Sequence, residues 1–534
     1  MPRHRTDIGT VSISPATPVE AGTTGCWTLT YSAGNTGIDP GGMVIFGIPH
    51  GFSIPIVDNP FHAGYCTAQC NRDDVHLVLR CTRNTSNALD AQSGIYGSIS
   101  TGVKVHVCES GLQPGDTLSL CYGDDTGGGP AIFTTLVCPT DIWEGTAHFY
   151  FIDRPPALQV VSRGPDRICI AMPSTARPGN LVSASLTARD QFGNTAASPG
   201  INAKVKGTDA LGAVDTSCDM TGCVTELQIE STRSGVGRLT VSEPNEPKAW
   251  SNPVRVTADE MQLYWGDLHC HTFLSDGLRY PDQAYELAKT VGQWDFAAIT
   301  DHDYMTDEAW AQCQQAVRAY LQDHVFVPLL GYEHSQPGIH RNVYSCDDTG
   351  ELVRSKSAED IMLGRLKGLA EGDAYTTAYP AVKTTEALFT RLTPQTQLVI
   401  PHIHRMDWEN HDPRFEPVAE IYSCWGSREH SACRYASVAG TRHIDTIQYA
   451  LGLGYRIGFV GGGDGHAGRP GSDFWLRVRG ARRCGITGIY APELTRQSLW
   501  DALWARHCYA ATGSRIIVQF FVDDRMMGDA LQLS

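Results

Sequence analysis

Two histidines that stand two residues apart, His269 and His271, are the residues whose spacing most directly suggests chemistry. Alternate side chains of an extended strand leave the same face, so both imidazoles would point in one direction. Asp276 follows His271 by five residues, past the expected end of the strand and directly before Gly277. Two histidines with a nearby carboxylate suit borderline divalent cations such as Zn²⁺, Mn²⁺ or Fe²⁺. Strands also carry paired histidines for packing or solvation, so this pattern alone leaves both explanations open.

Further histidine and carboxylate side chains follow four later strands that the apolar runs predict. They are Thr300-Asp-His302-Asp303 after 296–300, Glu333 and His340 after 325–330, His402 and His404 after 397–400, and Asp464 and His466 after 457–460. Each residue alone has an ordinary structural explanation, as a turn, helix-end or surface residue. In a parallel α/β domain, however, the carboxyl ends of the strands converge on one site. Their shared position therefore favours a single metal centre.

The elements that must position these residues change character along the 534-residue chain, which is too long for one ordinary core. Residues 1–155 show short alternating stretches between Gly, Pro, Asn and Asp clusters, which predicts a β-sandwich. Residues 156–260 repeat this pattern and predict a second, immunoglobulin-like sandwich. From 261 to 534, buried strands alternate with helical periodicity, which predicts an α/β catalytic domain. Neither β domain contains residues that we interpret as catalytic.

The bulk composition limits the partners and the location. The formal net charge of −16 argues against a general nucleic-acid binder, because phosphate contacts need a basic surface. No apolar run is long enough for a spanning helix, and the first residues lack an apolar signal core, so a cytoplasmic location is the default expectation, with secretion or periplasmic export left open. The 17 cysteines include Cys218 and Cys223, which could close a hairpin disulfide or remain free thiols. The sequence makes no prediction of oligomeric state.

The C-terminal motifs together resemble the PHP (polymerase and histidinol phosphatase) superfamily. The resemblance covers about 261–534. It is carried by Gly-Asp-Leu-His-Cys-His-Thr with Ser-Asp-Gly, then Thr-Asp-His-Asp, Gly-Tyr-Glu, Pro-His and Gly-Asp-Gly-His, in that order. The chain is particularly similar to a branch of PHP-like proteins with extra N-terminal β domains. The resemblance implies a distorted (β/α)7 barrel that holds three metal ions at the carboxyl ends of its strands.

Carried onto this sequence, the resemblance implies three sets of metal ligands. The first is His269, His271, Glu333 and Asp464; the second is Glu333, His340 and His402; the third is Asp276, His302 and His466. His404 competes with His402 for one ligand position. Three divalent cations bring six positive charges and the three carboxylates offset three of them, so the site would favour an anionic, small-molecule substrate.

The reaction that follows from the resemblance is phosphoester hydrolysis by a metal-bridging hydroxide in a trinuclear site. Arg341 or Arg405 would add a bidentate contact to phosphate, and Arg469 is similarly placed. His404 or Asp303 would protonate the leaving group. Two alternatives stay open: a metal-dependent hydrolase of carboxylic esters or amides, and, in a different class, a carbohydrate- or surface-binding protein whose metal domain is accessory.

Overall fold

The computed structural model of the chain describes most of the sequence. The described residues are 9–48, 53, 55–82, 102–126, 142–144, 157–191, 193–212, 214–242, 249–272, 274–275, 277, 279–305, 307–336, 338–355, 381–433, 441–472 and 483–532. They form two compact units: one contains the chain up to Arg163 with the loop Asp190–Thr195, and the other contains the remaining described segments. The predicted boundary at 155 lies outside the described residues. The three-domain division stays a prediction.

The N-terminal unit is a β-sandwich. Its strands are β1 (Gly9–Ser14), β2 (Val19–Glu20), β3 (Trp27–Ala33), β4 (Met43–Gly47), β5 (Cys66–Cys70), β6 (Val75–Thr82), β7 (Gly102–Glu109), β8 (Thr117–Tyr122), β9 (Ile142–Glu144) and β10 (Ala157–Val161). A four-stranded sheet, β1-β3-β8-β5, and a three-stranded sheet, β4-β7-β6, contribute to one core, and β2-β10-β9 forms a third sheet. Alternation explains this arrangement, because every second residue of β3 is buried while its neighbours are partly exposed.

A second sandwich opens the other unit. Its strands are β11 (Arg167–Ala171), β12 (Thr175–Ala176), β13 (Leu181–Arg189), β14 (Ser198–Gly207), β15 (Asp215–Gly222), β16 (Val224–Glu230), β17 (Gly235–Gly237), β18 (Leu239–Ser242), β19 (Ala249–Trp250) and β20 (Val254–Val256). The sheets β11-β13-β16 and β15-β14-β18-β19 share a core that includes Leu186, Val205 and Val241. Cys218 and Cys223 are free thiols here, so the hairpin disulfide is not formed.

The C-terminal region is built on a central mixed sheet. Its strands are β21 (Gln262–Asp267), β22 (Phe296–Ile299), β23 (Val327–Gln336), β24 (Ile339–Ser345), β25 (Gln397–His404), β26 (Val418–Ser423), β27 (Gly426–Ser427), β28 (Gly458–Gly461), β29 (Ile486–Ala491), β30 (Cys508–Ala511), β31 (Phe521–Val522) and β32 (Arg525–Met526). The seven-stranded sheet has the order β25-β24-β23-β22-β21-β29-β30, and β27-β26-β28 forms a smaller sheet. The helices of this region are α1 (Pro281–Glu286), continued by a π-helical turn (Leu287–Val291), α2 (Asp307–Tyr320), α3 (Thr385–Arg391), α4 (Ile447–Gly452) and α5 (Arg496–Trp504), with 3₁₀ turns at Trp408–Asn410 and His443–Asp445. A further 3₁₀ turn, Asp209–Leu211, lies in the second sandwich between β14 and β15.

The predicted (β/α)7 barrel is therefore wrong. Such a barrel needs parallel strands, each followed by a helix. In the seven-stranded sheet only β21, β22 and β23 run parallel to their neighbours, whereas β24, β25, β29 and β30 pair antiparallel. The physical cause lies after β23, where Gly338 adopts a φ of 73° and the chain returns as a hairpin.

Among the described residues no helix is long and apolar enough to cross a membrane.

The second sandwich and the central sheet are joined by buried polar contacts within the same unit. The Arg515 guanidinium donates to the carbonyls of Met172 (3.0 Å) and Gln293 (2.9 Å) and stacks over the Trp294 ring at 3.8 Å. The Ser185 hydroxyl donates to the Thr290 carbonyl at 2.9 Å. These contacts fix the loop between the π-helical turn and β22, which leads into the candidate site.

A buried carboxylate in this loop makes stability depend on pH. Asp295 accepts a hydrogen bond from the backbone of Trp265 at 2.7 Å, and burial raises the pKa of its carboxyl to about 6. An aspartate in the unfolded chain has a pKa of about 3.9, so between those values the folded protein holds a proton that the unfolded chain releases. Raising the pH through this window should therefore lower the free energy of unfolding, by about 3 kcal/mol for this group.

The measurement is urea unfolding of the wild type and Asp295→Asn between pH 4 and 7. The asparagine keeps an oxygen that can accept from Trp265 but does not titrate. We expect the variant to gain stability relative to the wild type as the pH rises. A difference between the two proteins that stays constant across the window would contradict the assignment.

Candidate metal centre

Four side chains from three distant segments converge at one buried point. His269 and His271 follow β21, Glu333 lies in β23, and Asp464 follows β28. Each offers a ligand atom within 4.8 Å of the others. The first and last segments are joined by a parallel bridge between Cys270 and Gly465, in which the His271 amide donates to the Gly465 carbonyl at 2.9 Å. The strand ends thus bring together residues almost two hundred positions apart.

The spacing of the four donor atoms matches that of a tetrahedral cation site. The Nε2 atoms of His269 and His271 lie 3.3 Å apart, and both lie 3.1 Å from Glu333 Oε2. Asp464 Oδ1 is 3.5 Å from the first nitrogen and 3.3 Å from the second. A tetrahedral Zn²⁺ with nitrogen and oxygen ligands at about 2.0–2.1 Å requires donors about 3.3 Å apart. The five measured separations therefore fit one such ion.

Glu333 is the hub of a second group of histidines. Its other oxygen, Oε1, contacts Nδ1 of His340 closely, lies 3.4 Å from Nδ1 of His302 and 3.5 Å from Nε2 of His402. His402 is fully buried, and neither of its ring nitrogens has a hydrogen-bond partner among the described residues. A buried polar atom without a hydrogen-bond partner costs free energy. A buried imidazole that lacks such a partner and lies beside a carboxylate therefore fits the role of a metal ligand.

A third group lies beside the first. The His466 ring stacks on the His271 ring with centroids 4.3 Å apart, and the centroid of the His302 ring lies 4.6 Å from that of His271. Ligand atoms of these three histidines also lie within 4.8 Å of one another. His302 thus belongs to two groups, whereas the sequence assigned it only to a set with Asp276 and His466. Asp276 itself lies outside the described residues.

The electrostatics of the cluster follow from burial of opposite charges. Burial acts to raise the pKa of Glu333, but the surrounding histidines, His302 first, hold it well below its usual range. Burial likewise opposes the ionised form of Asp464, yet His269 and His271 keep its pKa low. For His402 burial dominates and lowers the pKa to about 4, so this imidazole is neutral at physiological pH. Ionised carboxylates and a neutral imidazole are the forms in which these side chains bind metals.

Sequence reasoning missed Glu420, which lies in β26 and is buried. Its Oε2 contacts Nδ1 of His269 at 2.9 Å, so it holds the ring with Nε2 aimed at the cluster. This is the carboxylate–histidine arrangement that commonly orients metal ligands. The signal available in the sequence was a charged residue in the middle of an otherwise apolar strand, Val418-Ala-Glu-Ile. Ser335 plays a comparable part, since its hydroxyl lies 2.6 Å from Nδ1 of His302.

Replacing Glu420 with glutamine should lower the metal affinity of the centre about 10–100-fold without unfolding the protein. The amide keeps the volume of the side chain but loses the charge that orients His269. The affinity is measured by competition with a chromogenic chelator. Glu409→Gln, the same change at an exposed site, is the control. An unchanged affinity for Glu420→Gln would show that the carboxylate does not orient the ligand.

The proposed non-metal catalytic residues are placed differently. Arg341 is fully buried; its Nε donates to Glu416 at 2.8 Å and its Nη2 to the Met406 carbonyl at 3.0 Å. This placement argues against phosphate binding, because Nε and Nη2 are engaged and the whole side chain, including the unpartnered Nη1, is shielded from solvent. Asp303 is buried too, and accepts from the backbone amides of Ser355 at 2.6 Å and Ser335 at 3.4 Å, which favours a structural role over proton transfer.

The remaining predicted residues have mixed outcomes. Arg405 is exposed on the loop after β25, where its amide donates to the Gly338 carbonyl at 3.0 Å, so it is free to meet a substrate from solution. Arg469 is buried. The side chain of His404 lies outside the described residues, so the choice between His402 and His404 rests on the position of His402 alone.

Comparison with known proteins gives relatives without an assigned activity. Residues 476–533 match a family described as a protein of unknown function, DUF3604. An uncharacterised protein of Chlamydia pneumoniae is 24% identical over 452 residues, which cover 79% of this chain and 69% of that protein. One from Chlamydia trachomatis is 23% identical over 560 residues, covering 97% and 84% respectively.

Solved structures with some likeness are remote. The Escherichia coli adhesin FdeC is 14% identical, covers 51% of this chain and 71% of its own, and has a TM-score of 0.15. The collagen adhesin of S. aureus is 9% identical, covers 47% and 94%, and has a TM-score of 0.16. Scores this low carry no argument about fold or function. The chain is thus similar to uncharacterised chlamydial proteins, and its own side chains must supply any functional assignment.

Proposed function

We propose that the protein is a metal-dependent hydrolase whose substrates are phosphoesters. The observation that carries this proposal is the set of donor separations between 3.1 and 3.5 Å among His269, His271, Glu333 and Asp464. The Nε2 atoms of His269 and His271 face each other and the same Glu333 oxygen, as two ligands of one cation would. Without a cation, burial would lower the pKa of His269, but the carboxylates of Asp464, Glu420 and Glu333 raise it well above its ordinary value.

The chemistry of the donors supports a divalent cation of the zinc, manganese or iron type. Imidazole and carboxylate are the ligands these ions take, and among the described residues no thiol belongs to the central groups. Two buried cysteines nearby contact the backbone instead: Cys270 Sγ lies 3.5 Å from the Gly465 carbonyl oxygen, and Cys424 Sγ lies 3.4 Å from the Asp464 carbonyl oxygen. The groups around Glu333 and around His466 would hold further cations, which makes up to three, as the resemblance to the PHP superfamily also implies.

Bound divalent cations would supply positive charge for an anionic substrate and would lower the pKa of water enough to give a nucleophile near neutral pH. The protein's part is to position the ligands and to restrict access. His269, His271 and His402 are fully buried, whereas His302, His340 and His466 are partly exposed. A substrate would therefore reach the centre from the side of the three partly exposed histidines.

Arg405 lies on the loop that joins β25 to the segment beyond, close to the turn at Gly338. Its amide contacts Gly338, two residues before His340, and its exposed side chain is available for a bidentate contact to a phosphate group. We therefore assign substrate binding to Arg405 instead of Arg341. A small-molecule, anionic substrate remains part of the proposal.

Elemental analysis of the purified protein and assays on a panel of phosphomonoesters, phosphodiesters, carboxylic esters and amides test the proposed function together. We expect bound divalent metal and phosphoester cleavage that is lost on chelation and restored by adding metal. If the protein cleaved carboxylic esters or amides but no phosphoesters, the proposed substrate class would be wrong. Full activity in metal-stripped protein would overturn the mechanism, and bound metal with no cleavage of any substrate would favour a binding protein.

A further inference from the structure

Two cysteines of the N-terminal sandwich stand much closer than their positions in the sequence suggest. Cys26, directly before β3, and Cys121, in β8, are 95 residues apart, yet their sulfur atoms lie 2.9 Å from each other. The strands β3 and β8 are antiparallel neighbours in which Thr28 faces Cys121 and Trp27 faces Tyr122. The two thiols therefore meet diagonally across a strand pair, and the register of the sheet holds them there.

The Thr28 side chain also contacts the Cys121 thiol, and Cys26 is the cysteine whose sulfur lies 2.9 Å from it. Of the other cysteines in this sandwich, Cys66 donates to the Gly64 carbonyl at 3.2 Å and Cys81 to the Pro55 carbonyl at 3.1 Å. Cys26 and Cys121 are both free and half-buried, so a small reagent can reach them. A disulfide requires sulfur atoms about 2.05 Å apart, so a combined shift of roughly 1 Å in the two side chains would bring the sulfurs to bonding distance.

We propose that Cys26 and Cys121 form a disulfide when the folded protein meets a small disulfide oxidant such as oxidised glutathione. One cysteine thiolate attacks the glutathione disulfide, forming a mixed disulfide and releasing one glutathione thiol. The second cysteine then attacks the mixed disulfide and releases the other. Two electrons and two protons pass from the cysteine pair to the glutathione, and one intramolecular bond replaces two thiols.

The order of attack follows from the environment of Cys121. Burial, and then the neighbouring Cys26 sulfur, raise the pKa of the Cys121 thiol, which makes it a poor starting nucleophile. Cys26, on the loop before the strand, is the first to react, and Cys121 resolves the mixed disulfide. The product ties β3 to β8, the two central strands of the four-stranded sheet. It restricts the unfolded chain over a long loop, so the oxidised sandwich is more stable.

The test treats the intact protein with oxidised glutathione at mildly alkaline pH, blocks remaining thiols, and maps peptides by mass spectrometry without reduction. We expect a linked peptide pair containing Cys26 and Cys121, two hydrogen masses below the sum of its parts, and a thermal midpoint raised by several degrees. Dithiothreitol should reverse both changes. The matched control is Cys218→Ser, which alters a half-buried cysteine of the other sandwich and should leave the linked pair intact.

Cys26→Ser and Cys121→Ser should each abolish the linked pair, and Cys121→Ser should instead retain glutathione on Cys26. If the blocking reagent still modified both thiols completely after oxidation, the proposal would be overturned. A disulfide from either cysteine to a different cysteine would also overturn it. The peptide map of the wild type decides the matter even where a variant does not fold.

Discussion

Glu333→Gln should remove at least one equivalent of bound divalent metal per chain and reduce phosphoester hydrolysis by more than 100-fold. Both oxygens of Glu333 face histidines, with Oε2 3.1 Å from the Nε2 atoms of His269 and His271. The amide keeps the shape of the side chain but carries no charge and offers an N–H where a cation would lie. Loss of a residue that hydrogen-bonds to a metal ligand typically lowers the metal affinity about 10–100-fold. Loss of a ligand that two groups share should lower it further.

Metal content is measured by inductively coupled plasma mass spectrometry after gel filtration, and activity with the substrate that the panel identifies. Glu409→Gln, the same change on an exposed residue, should keep both metal and activity. A normal far-ultraviolet circular dichroism spectrum would show that Glu333→Gln still folds. A folded variant with its full metal complement and normal turnover would remove Glu333 from the centre, and with it the assignment of the cluster.

Arg341→Ala should lower the free energy of unfolding by about 3–5 kcal/mol while leaving the metal in place. Arg341 and Glu416 form an ion pair at 2.8 Å in which both side chains are excluded from solvent. Removal of the guanidinium leaves the buried Glu416 carboxylate with His411, whose Nδ1 lies 2.8 Å from Oε2, as its remaining side-chain partner. The loss of the positive charge beside Oε1 is the main cost. The stability is measured by urea unfolding followed by tryptophan fluorescence.

Two comparisons separate this structural role from phosphate binding. Arg405→Ala, at an exposed position, should change stability by less than about 0.5 kcal/mol. The double variant Arg341→Met/Glu416→Leu replaces the ion pair with apolar groups and should recover much of the loss. If Arg341→Ala instead kept its stability and raised KM for a phosphoester, the arginine would be a substrate ligand and the structural assignment would be wrong.

The residues of the candidate centre were largely predictable, because ligand chemistry constrains residue type and spacing. The pair His269 and His271, and the histidines and carboxylates after later strands, were identified from the sequence, and the structure brings eight of them together. The eight are His269, His271, His302, Glu333, His340, His402, Asp464 and His466. Their grouping was less predictable, because His302 reaches two groups. Glu420 was missed because its role depends on a contact with His269, 151 residues away.

The topology of the sheet was not predictable from the same patterns. β23 is buried at all ten residues although it pairs antiparallel with β24. Continuous apolar runs such as 325–330 favoured a parallel α/β sheet, and the resemblance to the PHP superfamily implied the barrel. An antiparallel strand that is covered on both faces gives the same run. The distinguishing signal was local, in the turn that Gly338 makes between β23 and β24. The helical periodicity expected from 261 onward agrees with α2, at Asp307–Tyr320, but periodicity does not reveal which way the next strand runs.

The hairpin of β23 and β24 has a consequence for how the protein matures. Glu333 and His340 sit on its two arms, only a few residues apart, and such short-range pairings form early as a chain folds. Asp464 and His466 emerge from the ribosome well over a hundred residues later. A cation captured by the nascent hairpin would be held by only part of its ligands and would exchange readily. Tight binding of a cation would therefore require Asp464 and His466, and would come only after the segment around β28 has folded.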